Sequence, residues 1–189
     1  TAVCGAQAAN LCGAGKRIFA TKATFPATFG GLWKADSLCA AAAKPAGLGS
    51  SWKAWLSDDS TDAFDRIDDV GPWYLTGTDA KVFLWKAQLG MFPSVPIDHD
   101  EYGQPIPMLA NYSEFAWTGT ALGGAKTPFF DSNCQEYCDW SCYSWTKSSS
   151  IRPNFYATVG RLKDIDEGWT HFGADDCSDG KNHLICIEQ

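Results

Sequence analysis

The sequence predicts an α+β domain of short strands and long loops, with one main and one short helix and a framework of disulfides. Three observations carry that reading. Residues 32–43 space their apolar side chains at helical intervals. Beyond Gly71-Pro72 the chain becomes a succession of short apolar runs split by Gly, Pro, Asp and Asn. Eight cysteines, an even number, accompany only two methionines in 189 residues, which is the usage of a chain whose thiols are paired in an oxidising compartment.

The elements follow in order. Residues 1–15 are Gly/Ala-rich and hold Cys4 and Cys12, close enough in sequence to close a small local loop if they pair, so they read as a stapled extension. Residues 16–189 read as one domain, since no fixed-period repeat and no linker divides them. The β-branched and aromatic content of residues 16–21 predicts a strand, and Gly30-Gly31 a turn. Leu32, Ala35, Leu38, Cys39 and Ala42 then share one helical face, which Pro45 and Gly47 terminate. Residues 52–57 read as a strand, and residues 58–62, with three aspartates, as the capped start of a short helix through Ile67. Short strands are expected at residues 73–75, 82–85 and 115–117, and an apolar strand carrying Cys186 near residue 189.

Composition excludes several classes of partner. Fifteen basic against twenty-two acidic side chains give a net charge of −7, which repels nucleic acids and other polyanions at long range. No run of about 18 apolar residues exists to cross a membrane as a helix. The start, Thr1-Ala2-Val3-Cys4, has no basic segment followed by an apolar one, as expected of a processed chain that is secreted or displayed at the cell surface. Nine Trp, eleven Phe and six Tyr exceed what one core needs and hint at a binding face.

Gly30-Gly31-Leu32-Trp33-Lys34-Ala35-Asp36-Ser37-Leu38-Cys39, then Ala46-Gly47-Leu48 and Trp52-Lys53-Ala54-Trp55-Leu56-Ser57, resemble the opening of endostatin and of its bacterial relatives of uncharacterised role. Phe115-Ala116-Trp117-Thr118-Gly119-Thr120, Cys142-Tyr143-Ser144-Trp145-Thr146, Ala157-Thr158-Val159-Gly160, Cys177 and Cys186-Ile187-Glu188 continue the similarity in the same order, over about residues 16–189. The resemblance implies a C-type-lectin-like fold of the endostatin type. It also implies a bridge from Cys39 to Cys186 and an inner bridge from Cys142 to Cys177. Cys4 with Cys12 and Cys134 with Cys138 are then left, with Cys134 as the alternative partner of Cys177.

Candidate metal ligands were weighed by spacing. Cys134, Cys138 and Cys142 lie four apart, so on one helix face they would present three sulfurs to a metal or cluster, but the cysteine count and acidic balance favour disulfides. Asp98, Asp100 and Glu101 gather with His99 in one turn and are the candidate calcium ligands. Gly103 suits the sixth position of an EF-hand loop, whereas Leu109 stands at the twelfth, where a bidentate Glu is needed, and an exposed hairpin is the preferred reading. Asp175-Asp176 falls where sugar-binding C-type lectins carry a calcium-ligating pair. The accompanying triplet is missing, since Arg152-Pro153-Asn154 puts a guanidinium where a carboxylate is required. His99, His171 and His183 form no zinc-spaced pair, and the histidine-rich tail that holds zinc in endostatin has no counterpart. No cofactor beyond that calcium candidate is implied.

No catalytic residue is assigned: GxSxG is absent, and paired acids for glycoside hydrolysis meet only in a fold. Residues 133–150 present Tyr137, Trp140, Tyr143 and Trp145 among Ser, Asp and Gln, either as a recognition surface on a stapled loop or as packing beneath it. Asn111-Tyr112-Ser113 fits an N-glycosylation acceptor. The expected function is adhesion or recognition of an extracellular protein or glycan without catalysis. The alternatives are a structural subunit of an extracellular assembly or surface layer, and an extracellular hydrolase.

Overall fold

The computed structural model describes residues 15–107, 114–128, 140–147, 156–178 and 181–189. Cys4, Cys12, Cys134, Tyr137 and Cys138 lie outside the described residues, as do all of the expected extension except Gly15 and the acceptor at Asn111. The described residues form an α+β fold. In chain order they are β1 (Lys16–Ala20), β2 (Phe25–Pro26), α1 (Leu32–Ala43), β3 (Trp52–Ala54), α2 (Ala63–Arg66), β4 (Trp73–Leu75) and β5 (Lys81–Phe83). Then come α3 (Lys86–Leu89), β6 (Phe115–Trp117), α4 (Cys142–Trp145), β7 (Tyr156–Arg161), a 3-10 turn (Glu167–Trp169), β8 (Gly173–Asp176) and β9 (Lys181–Glu188).

The main path of the sheet runs β5-β4-β1-β9-β6-β7-β8. β9 is its axis. Residues 185–187 of β9 pair antiparallel with β1, and residues 186–188 pair antiparallel with β3 on the other edge. Towards its start, Lys181 and Asn182 pair with β2, while His183 and Leu184 run parallel to β6. Two additional bonds lengthen these ladders, from Thr21 N to Leu184 O (2.9 Å) and from Trp55 N to Ile185 O (2.8 Å).

Because successive side chains of a strand point to opposite faces, β9 feeds two cores. Ile185 and Ile187 join Ile18, Ala20, Trp55, Trp73, Phe83 and Trp169 on one face. Leu184 and Cys186 join Phe19, Ala54, Trp117, Trp145 and α1 on the other. The first cluster buries Trp55 stacked on Trp169 at 5.1 Å, and the indole N–H of Trp55 donates to Thr170 Oγ1 (2.9 Å), so a large ring is buried with its donor satisfied.

α1 follows a turn that needs glycine, with Gly30 and Gly31 at φ 107° and 92°, and is left through Gly47 at φ 71°. The buried stripe is Ala35, Cys39 and Ala43, whereas Leu32, Leu38 and Ala42 of the expected stripe are only partly buried at its border. The helix therefore approaches the sheet on its smallest side chains, close enough for Cys39 to bond Cys186 with the Cα atoms 5.5 Å apart. Asp36 adds a polar clasp. It accepts from Arg66 (2.6 Å), Lys53 (3.2 Å) and Ala54 N (2.9 Å), while Arg66 also donates to the carbonyls of Ala54 and Leu56.

The short helix expected after residues 58–62 is α2, with Asp62 at its N-cap position and Ile67 at its C-cap, though no side chain of the acidic run makes the cap bond. Asp58 Oδ1 instead accepts from Ser60 N and Thr61 N, which closes a turn in which the side chain substitutes for a backbone carbonyl. Where one short helix was expected beside the main one, α2, α3 and the 3-10 turn are present among the described residues, while α4 is a single left-handed turn.

Two stability outcomes follow. The Cys39–Cys186 bridge spans 147 residues, so the C39A/C186A double variant is expected to lose about 5 kcal/mol on the loop-entropy model, measured by denaturant titration. Asp36→Ala leaves the Arg66 guanidinium nearly buried without its carboxylate and should cost about 3–5 kcal/mol in the same assay. A loss below about 1 kcal/mol would show the clasp to be surface-like.

Candidate functional site

Residues 141–147 form an unusual turn at the edge of the second core. Cys142, Tyr143, Ser144 and Trp145 all have positive φ, at 50°, 53°, 53° and 63°. A run of L-residues in the left-handed region costs roughly 1–2 kcal/mol each, so it persists only where its ends are held.

They are held covalently and by packing. Cys142 is bonded to Cys177 at the end of β8, with both residues buried. Trp145 is fully buried, stacks on Phe29 at 5.4 Å and tilts against Trp117 at 5.9 Å. Its indole N–H donates to Ser57 O (2.9 Å), and its carbonyl accepts from Gly30 N (2.8 Å) and Gly31 N (3.2 Å). Ser141 Oγ caps the turn by accepting from Ser144 N (3.1 Å).

Between these anchors two side chains are pushed outward. Tyr143 is exposed, with Lys147 Nζ 5.1 Å from its ring centroid. Ser144 Oγ donates to Asp59 Oδ1 (2.5 Å). The turn abuts the start of α1, because a Cβ on Gly31 would lie 3.7 Å from Ser144 O and 3.8 Å from the Trp33 ring. Trp33 is 70% exposed, the most open of the large apolar side chains described. Tyr143 and Ser144, the latter bonded to Asp59, thus project from the turn close to the start of α1, where Trp33 is exposed.

The structure sorts the four aromatic residues singled out in the sequence. Tyr143 is at the surface, and Tyr137 lies outside the described residues. Trp145 is a packing residue, because its ring fills the space beneath the turn. Trp140 is half-buried. Its carbonyl accepts from Thr158 N (3.1 Å), and its buried indole N–H meets no acceptor among the described residues. Trp33 and Asp59 were missed as site residues, since nothing in the local sequence tells an exposed helical Trp from a buried one; the signal was Gly30-Gly31, which sets α1 against the turn.

The acidic turn is less open than a hairpin tip. His99 and Pro105 bridge it, and Asp100 and Glu101 are buried, at 4% and 7% exposure. Asp100 Oδ1 accepts from the backbone of Tyr102 and Gln104 (2.9 Å each), Glu101 Oε2 from Lys22 N (2.7 Å), and Asp98 Oδ1 meets His99 Nδ1 at 2.7 Å. The three carboxylates face separate backbone and imidazole groups. They organise the loop: the expected hairpin is present, with Tyr102, Gln104 and Pro105 exposed, while Asp100 and Glu101 are turned inward. Among the described residues no group of three or more His, Cys, Asp or Glu side chains is placed to hold a metal ion.

Asp175 likewise accepts from Asn182 Nδ2 and Asp176 N (2.8 Å each), and Asp176 from Ser178. His183 is buried with Nδ1 2.5 Å from Thr21 O and Nε2 3.4 Å from Glu114, while His99 and His171 lie on other segments. Among the described residues no helix is long and apolar enough to cross a membrane. No protein-family model matches the chain, and no curated protein matches it.

The geometry separates two substitutions at the turn. Trp145→Phe removes the donor from the buried Ser57 carbonyl and should cost about 1–3 kcal/mol. Tyr143→Gly relieves a left-handed residue and should leave stability equal or raise it by up to about 1 kcal/mol. Thermal unfolding of the two variants beside the parent checks both.

Proposed function

We propose that this chain is an extracellular recognition domain of C-type-lectin-like, endostatin-type architecture that binds a protein or glycan and carries out no catalysis. The observation that carries the reading is the pinned left-handed turn that exposes Tyr143 next to the start of α1, the helix that exposes Trp33. Backbone strain of this kind clusters where a side chain must be held in a set direction, and a surface ordered before binding loses little entropy on complex formation. Flat aromatic faces beside a hydroxyl and a carboxylate suit both the apolar faces of sugars and the side chains of a protein partner.

Further support comes from the architecture. A single main helix bonded through Cys39 to the strand bearing Cys186, with an inner bridge from the long-loop cysteine to the segment before that strand, is the arrangement the resemblance implies. Paired cysteines suit an oxidising compartment, which favours secretion or surface display.

A glycan array and an extracellular-protein array, each run with calcium and again with chelator, test the proposal. A ligand is expected whose binding falls about tenfold or more in Trp33→Ala and in Tyr143→Gly, the loss typical of an aromatic anchor. Because Tyr143→Gly keeps the fold, unchanged binding by both variants would remove the site. Loss of binding in chelator alone would move the site to the carboxylates near residue 100.

A further inference from the structure

We infer that the apolar patch formed by Val70, Leu84 and Trp85 is a docking surface for a basic amphipathic segment of a partner protein. The patch is independent of the turn at Tyr143: its segments pack on the first core through Trp73, Val82 and Phe83, whereas Cys142 and Trp145 pack on the second.

Residues 69–71 run beside residues 84–86. Asp69 Oδ1 accepts from Lys86 N (3.1 Å), and a Cβ on Gly71 would lie 3.2 Å from Leu84 O. β5 ends at Phe83 and α3 begins at Lys86, so the intervening Leu84 and Trp85 leave the sheet and both stay at the surface, with Trp85 56% exposed. Contiguous apolar side chains with a polar border mark interaction sites more often than chance.

The border names the occupant. Asp65 and Asp68 are exposed, and their carboxylates meet no cation or donor among the described residues; Asp69 has one oxygen engaged by Lys86 N. The ammonium of Lys86 sits over the Phe64 ring at 4.8 Å. Trp33, Tyr74, Tyr102, Tyr143 and Phe172 each already face a lysine or arginine of this chain, whereas Trp85 faces none among the described residues. An indole with no cation over it among the described residues, with Asp69 beside its segment and Asp65 and Asp68 on the same stretch of chain, suits a segment that alternates Lys or Arg with apolar residues. A second copy of this chain would set those carboxylates against themselves within molecules of net charge −7, which works against self-association through this face.

Fluorescence anisotropy on the full chain tests the assignment with two labelled synthetic probes of about 18 residues, an amphipathic Lys/Leu peptide and its Glu/Leu counterpart. Binding of the Lys/Leu probe only is expected. Trp85→Ser should weaken it about tenfold or more, and the D68N/D69N variant should weaken it and flatten its dependence on salt. Leu84→Ser serves as a second apolar test if Trp85→Ser loses its fold, and Glu167→Gln is the control for overall charge. Equal affinity of parent, Trp85→Ser and Leu84→Ser would overturn the proposal. So would equal binding of both probes, failure of the parent to bind the Lys/Leu probe, or a Glu167→Gln effect as large as that of D68N/D69N. Concentration-dependent dimerisation abolished by Trp85→Ser would give the patch to a second copy instead.

Discussion

Strand β9 has backbone partners on both edges, and one of its inward side chains is a half-cystine. Cys186 opposes Phe19 on one side and Ala54 on the other while its sulfur bonds the helix across the face. Shifting β9 by one residue would turn Leu184 and Cys186 into the core that Ile185 and Ile187 fill, and would point the thiol away from Cys39. The bridge and the division of the β9 side chains between the two cores therefore specify the same register by independent means. Everything that positions the surface sites, including α1 above the sheet and β6 beside it, takes its place from that register.

The turn at Tyr143 illustrates how stability at one place is used at another. Four left-handed residues oppose folding, and what offsets them is buried: the disulfide to Cys177, the Trp145 ring between Phe29 and Trp117, and the carbonyl bonds to Gly30 and Gly31. None of these groups is available to a ligand. Tyr143 and Ser144 lie outward of these anchors, with Lys147 over the Tyr143 ring and Asp59 bonded to the Ser144 hydroxyl.

Much of this was readable from residues whose local chemistry and tertiary role agree. The apolar spacing of α1, its Gly30-Gly31 entry and Gly47 exit, and the strands at Trp73–Leu75 and Phe115–Trp117 needed only periodicity and turn chemistry. Other features depend on partners distant in sequence. Asp58 looked like a cap because of its position before a helical run, but the nearer amides of Ser60 and Thr61 compete for the same oxygen. Asp100 and Glu101 looked like ligands because carboxylates were adjacent; their acceptors' partners, including Lys22 N some 79 residues away in the chain, could not be seen locally. Trp145 is fully buried and Trp33 is exposed, which the packing of α1 against the turn decides and no local sequence signal gives.

The centre of the sheet is also the last of its described strands to be synthesised. β1, β3 and β6 all wait for β9 before their ladders on it can form, so until then β1 has only β4 beside it and β6 only β7, each with the edge that β9 will cover left open. Long-range pairing of this kind is slow and leaves growing chains open to aggregation. A ribosome-bound intermediate of this domain would hold its helix and hairpin segments without their organising strand until residues 181–188 emerge.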